Sequence, residues 1–375
     1  MKILSRFLPT IFLTFLSGQL FSQQEGLELK EVFRDAFKIG TAISYKQATG
    51  EDERAWPLLE KHFNSITSEN MMKWGPIHPE PDTYNFEFAD QYVQLGKKLN
   101  AFIVGHALVW HQQTPKWVFQ NEDGTGIGKE ALLKRMENHI ETLLGRYKGQ
   151  IHGWDVVNEV FEDDGSYRNS AWYQITERDF IFKSFQKAQE MDPDTELYYN
   201  DYNLWKPEKR EAAIALAKEL RERGLRIDGI GMQAHYMLDS PEPDWIEASI
   251  IAISEAGFKV MLTELDVDVL PRPRPSEGAD LNKNYELDEK FNPYTKGLPE
   301  EIEEKLAKRY AEIFSVIYKH RDKISRVTFW GLHDGASWLN NWPVRGRTNY
   351  PMLFDRDYRV KPKVLNEILN QKRQY

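Results

Sequence analysis

The sequence predicts an α/β chain folded as a single (β/α)8 TIM barrel. Three observations carry this. Apolar, strand-like runs alternate with amphipathic helical runs, eight such units follow one another, and no glycine-rich phosphate turn follows an early strand. Alternation implies parallel strands joined by crossovers, and eight repeats imply closure. An open doubly wound sheet that bound a nucleotide would carry the missing turn.

Taken in order, strands are read at Phe37–Ser44, Ser65–Asn70, Ala101–Trp110, Ile151–Glu159, Glu196–Asn203, Ile227–His235, Lys259–Val267 and Arg326–Leu332. The helical patterns fall between and after them, at Asp52–Phe63, Phe88–Leu99, Glu130–Tyr147, Glu177–Met191, Pro207–Arg223, Glu242–Ala256, Glu300–His320 and Lys361–Leu369. Pro207 suits a first helical turn, where its missing N–H is no loss. Thr176 is placed to cap the helix read from Glu177. The loop after the seventh strand, Pro271–Pro299, is rich in proline and charge. It is either a solvated excursion or a wall of the cleft, because βα loops face the site in a barrel.

The first residues have a different character. Lys2 and Arg6 precede a mostly apolar run from Phe7 to Phe21, and Ser22 offers a small residue for cleavage. Residues 1–22 therefore read as a secretory signal peptide, leaving 23–375 as one catalytic domain. The expected location is secreted or periplasmic, with no membrane span after cleavage.

Composition narrows the chemistry. The chain has 375 residues, a formal net charge of −9 and no cysteine. Disulfides, a thiolate nucleophile and cysteine-held metals are excluded. The acidic balance argues against a nucleic-acid binder and gives weak support to a monomer. His106 and His111 lie five apart on one strand, which turns them to opposite faces, so no metal site is expected.

A barrel carries its reactive residues at the C-terminal ends of its strands. Those ends hold Ser68-Glu69-Asn70 with Lys73, His106 with Trp110, Asn158-Glu159, Asn200-Asp201, Gln233 with His235, Glu264 with Asp266, and Trp330 with Trp338. Charges gathered at one mouth are costly in a packing role alone. Glu159 and Glu264 sit on the fourth and seventh strands and can face each other across the mouth. Two facing carboxylates are the equipment of glycoside hydrolysis, one protonated and one ionised. Either could instead make an ordinary salt bridge.

The segments SENMMKW, GHALVWH, WDVVNE, YYNDYN, GIGMQAHY, VMLTELDVDV and FWGLHDGASW, in that order, resemble the motif set of family 10 glycoside hydrolases, the β-1,4-xylanases. The resemblance runs from about Phe33 to Leu369. It implies a retaining endo-1,4-β-xylanase with Glu159 as general acid/base and Glu264 as nucleophile. It further implies that Asn158 bonds the 2-hydroxyl of the cleaved sugar and that His235 and Asp266 tune the nucleophile. Glu69, Asn70, Lys73, His106 and Gln233 become the polar hands of the non-reducing side, and Trp110, Trp330 and Trp338 its walls. Trp154 is read as barrel packing. The implied substrate is xylan or a xylo-oligosaccharide, with no cofactor. Two rivals stay open: a β-1,4-glucanase of the same mechanism, and a non-catalytic carbohydrate-binding barrel.

Overall fold

The computed structural model describes residues 27–273 and 284–374. The expected signal peptide lies outside these residues, as do residues 274–283 of the proline-rich loop.

Nine strands occur among the described residues: β1 (Lys38–Ile43), β2 (Ser65–Ser68), β3 (Phe102–Trp110), β4 (Gly153–Asn158), β5 (Glu196–Asp201), β6 (Gly229–Met232), β7 (His235–Met237), β8 (Lys259–Asp268) and β9 (Ile324–Phe329). Eight of them close a parallel barrel. Neighbours pair from β1 through β6, β6 pairs with β8, β8 with β9, and β9 returns to β1. The predicted fold class is therefore the observed one.

Helices Ala55–His62, Glu87–Lys98, Lys129–Tyr147, Asp179–Met191, Pro207–Glu222, Pro243–Glu255, Glu300–Lys319 and Pro362–Gln374 follow the strands in turn. Each buries one stripe. In Lys129–Tyr147 the buried set is Leu132, Leu133, Met136, His139, Ile140, Leu143, Leu144 and Tyr147, the three-and-four spacing of one helical face. Pro207 occupies the first helical turn as expected. Large rings fill the contacts between neighbouring strands. Gly105 on β3 pairs with Trp154 on β4, and the indole lies where a Cβ on Gly105 would stand. Trp154 is 1% exposed and is barrel packing.

Two expectations need correction. Thr176 caps nothing: it ends a separate short helix, Ala171–Thr176, and its hydroxyl donates back to the Trp172 carbonyl at 2.7 Å. The next helix begins at Asp179 instead of Glu177. The predicted strand Ile227–His235 is also not continuous. Its backbone turns at Ala234, with φ +66°, and His235 resumes as β7 against the outer end of β8. The short helices Leu29–Val32, Tyr45–Thr49 and Trp74–Ile77 have too few residues to show a period and were not anticipated.

Candidate active site

The C-terminal ends of the strands enclose a cavity of about 390 Å³. Of the site residues named from sequence, Glu69, Asn70, Lys73, His106, Trp110, Asn158, Glu159, Gln233, His235, Glu264, Trp330 and Trp338 all line it. Asp266 stands behind His235, its Oδ2 3.0 Å from Nδ1 of the ring.

Glu159 directly follows β4. Its φ of +59° is unusual for a residue with a Cβ and is held on both sides. Its N–H donates to the Asn200 carbonyl at 2.9 Å, and its carbonyl accepts from Arg168 Nε at 3.0 Å. Glu159 as a whole is 3% exposed. Oε2 accepts from Trp110 Nε1 at 2.9 Å, while Oε1 accepts from Gln233 Nε2 at 2.8 Å and Asn158 Nδ2 at 3.2 Å. Burial pushes its pKa up, and the nearby charge of Asp201 adds to the rise; the Gln233 and Trp110 donors and the Arg168 charge only partly oppose it.

Glu264 is equally buried but has other neighbours. It lies on β8 opposite the break between β6 and β7, and its N–H donates to the Gln233 carbonyl at 2.8 Å. Oε1 accepts from Asn200 Nδ2 at 2.8 Å, and Oε2 stands 3.2 Å from His235 Nε2. Burial pushes this carboxyl up too. Here the His235 bond, the charges of His106 and His235 and the Asn200 donor outweigh it, and the pKa falls below the usual value. Burial by itself would lower His235, but Asp266 and Glu264 lift it to about 9, so the ring is an imidazolium at neutral pH. The two carboxyl groups share a bridge of amides. Asn158 Nδ2 reaches Glu159, Asn158 Oδ1 accepts from Asn200 Nδ2 at 3.0 Å, and the same Nδ2 reaches Glu264. Thr263 Oγ1 donates to Asn200 Oδ1 at 2.6 Å and fixes that amide.

One flank of the cavity is polar. Lys73, 6% exposed, donates to Asn70 Oδ1 at 3.1 Å and stands 4.8 Å above the Trp110 ring. Burial lowers its pKa against the pull of Glu264, Glu69 and Glu159, and burial raises that of Glu69. His106 Nδ1 lies 2.8 Å from Asp155 Oδ2. Aromatic rings complete the wall. Trp330 meets His106 edge-on at 5.4 Å, and Trp338 donates to Asp266 Oδ2 at 2.7 Å.

Sequence reasoning missed Trp342, Gln113, Asn341 and Asn284, which also line the cavity. Trp342 stacks on Trp338 at 4.7 Å, and Arg272 covers its ring at 4.9 Å. The spacing of Trp338 and Trp342 within one loop was the available signal. Asn284 belongs to the proline-rich loop, so the described part of that loop reaches the cleft. His111 does not line the cavity. Among the described residues no group of three or more His, Asp or Glu is placed to hold a metal ion.

The profile of the family described as glycosyl hydrolase family 10 matches residues 28–370. Endo-1,4-beta-xylanase A of Xylanibacter ruminicola is 45% identical over 341 residues, covering 91% of this chain and 92% of that protein. Beta-1,4-xylanase of Dictyoglomus thermophilum is 42% identical over 356 residues, covering 94% of each. A solved structure described as a novel GH10 endoxylanase from a sugarcane soil metagenome is 47% identical, with a TM-score of 0.87, and the match covers 92% of this chain and 99% of that one.

Proposed function

The chain belongs to glycosyl hydrolase family 10, and from that premise we propose that it hydrolyses internal β-1,4-xylosidic bonds of xylan by double displacement. One observation carries the mechanism. Two buried carboxyl groups bordering a single cavity have pKa values pushed in opposite directions, Glu159 up and Glu264 down. A pair of titratable groups driven apart in this way supplies an acid and a nucleophile at the same pH.

In the first step Glu264 attacks the anomeric carbon while Glu159 protonates the departing glycosidic oxygen. The His235 imidazolium keeps Glu264 ionised before attack, and Asp266 holds the ring by its other nitrogen. In the second step Glu159, now ionised, takes a proton from water, and that water releases the sugar from Glu264. Two inversions leave the configuration retained. Asn158 is positioned between the carboxyl groups to bond the 2-hydroxyl, a contact that strengthens as charge develops at the ring. Glu69, Asn70, Lys73, His106 and Gln233 offer both donors and acceptors to sugar hydroxyls on the non-reducing side. Trp110, Trp330 and Trp338 offer apolar ring faces there, while the N–H groups of Trp110 and Trp338 are held by Glu159 and Asp266.

The same reading takes residues 1–22 as a signal peptide and 23–375 as one catalytic domain. The enzyme then acts outside the cytoplasm, as a monomer, on xylan or xylo-oligosaccharides, with no cofactor and no nucleic-acid partner. Among the described residues no helix is long and apolar enough to cross a membrane.

Reducing-sugar release from soluble xylan and from carboxymethylcellulose, measured in parallel for wild type and Glu264→Ala, tests the proposal. Release from xylan only, abolished in the folded variant, is the expected result. Release mainly from the cellulose derivative would make the protein a β-1,4-glucanase, and release from neither would make it a binding protein.

A further inference from the structure

Among the described residues the most exposed large apolar side chains are Phe88, Trp245 and Leu287, and Trp245 leaves 49% of its surface in water. It is not alone. Its ring centroid lies 5.3 Å from that of Trp205, at an interplanar angle of 37°. Trp205 follows the C-terminal end of β5 by four residues, and Trp245 stands in the first turn of helix Pro243–Glu255. Both positions belong to the face of the barrel that carries the cavity. The pair is held in register from beneath. Ser249, fully buried, stands 2.9 Å from the Leu204 carbonyl and 3.1 Å from the Trp245 carbonyl, which ties the helix to the β5 loop.

The β5 loop is in turn tied to the loop carrying Glu159. Asp163, four residues beyond Glu159, accepts from Asn203 Nδ2 at 3.1 and 3.2 Å and from Lys206 Nζ at 2.8 Å. Lys206 adjoins Trp205 and stands 5.2 Å over its ring. A ridge of hydrogen-bonded loops therefore leads from Glu159 through Asp163 to half-buried Trp205 and exposed Trp245.

We propose that Trp205 and Trp245 form a distal platform for the leaving-group side of the polysaccharide, stacking on unbranched xylose units several positions beyond the scissile bond. This rests on the reading above, since the units on the Glu159 side are those whose oxygen it protonates. A pre-positioned indole pair, Trp245 exposed and Trp205 half-buried against the core, matches a pyranose, whose axial C–H faces are apolar while its edge is polar. Xylose lacks the hydroxymethyl arm of glucose, so both faces of each ring are free to lie flat.

Trp245→Ala and Trp205→Ala, assayed on xylohexaose and on an aryl β-xylobioside, test it. The aryl substrate ends at its chromophore and cannot reach the ridge. For each variant kcat/KM on xylohexaose should fall about 2- to 10-fold, mostly through KM, with the aryl substrate unaffected. Cleavage of reducing-end-labelled xylohexaose should also shift along the chain. Equal losses on both substrates would show a packing role and overturn the platform. So would an active enzyme whose Trp245→Ala variant matches wild type on xylohexaose, and exposed Trp245 can be removed without disturbing the core. A wild type that cleaves neither substrate would overturn the functional reading itself, and the platform with it.

Discussion

Two glutamates of equal burial owe their opposite tuning to their neighbours. Around Glu159 a fully buried carboxylate, Asp201, adds to the effect of burial; around Glu264 the His235 imidazolium, helped by His106 and Asn200, reverses it. The pH profile of kcat/KM should therefore be bell-shaped. Glu264 must be ionised, and its folded pKa is depressed, so the acid limb lies below the ordinary glutamate value. Glu159 must be protonated, and its pKa is raised, so activity is lost as pH rises through that raised value. His235→Gln removes the imidazolium and leaves burial dominant at Glu264. The acid limb should move to higher pH while kcat falls, as a pH–rate series would show. His235 also links pH to stability. Its pKa rises from 6.5 to about 9 on folding, so its stabilising contribution is complete below about 6.5 and is lost as pH passes 9. The melting-temperature gap between wild type and variant should close over that window. Glu159 and Glu264 were legible in the sequence because each follows an apolar run and sits in an ordered motif. Asn200, the amide that reaches Glu264 and Asn158 together, was legible only as a strand-end residue of one motif, since its role depends on distances between three strands.

The strands position these residues through glycine as much as through the side chains they carry. Gly231 on β6 pairs with Asn200 on β5. A Cβ there would fall well inside contact with the Asn200 Oδ1 and 2.8 Å from Thr263 Cγ2. Gly105 on β3 is as tightly covered, 2.5 Å from Trp154 Cδ2, but it touches no reacting group. Both Gly→Ala substitutions should lower stability by about 1–3 kcal/mol in denaturant titrations. Only Gly231→Ala displaces the bridge between the carboxyl groups, and its kcat should fall by roughly 10- to 100-fold. A Gly231→Ala enzyme with normal kcat would show that Asn200 does not align the pair. Among the elements, the break between β6 and β7 was illegible. Its positive φ falls on Ala234, a residue that gives no turn signal, and the interruption is imposed by how β8 pairs with both pieces. Thr176 misled for a related reason: its hydroxyl satisfied a carbonyl of its own short helix.

At the scale of the molecule, the period of strand and helix predicts closure, and the pairing of β9 with β1 supplies it. A closed parallel barrel brings residues 105 positions apart to one mouth, which is why side chains from six of the seven motifs line a single cavity, with Asn200 of the remaining motif bonded to Glu264 beneath it. The loops between motifs were less legible. Trp342 and Asn284 reach the cleft from connections whose course follows no period. The central claim is that the mouth works as a two-step device with Glu264 as the covalent partner, and the stereochemistry of the product reports on it most directly. Proton NMR of xylo-oligosaccharide hydrolysis at early times, before mutarotation, should show the β-anomer formed first. An α-anomer formed first would mean that water attacks in a single displacement, and would contradict the assignment of Glu264 as nucleophile.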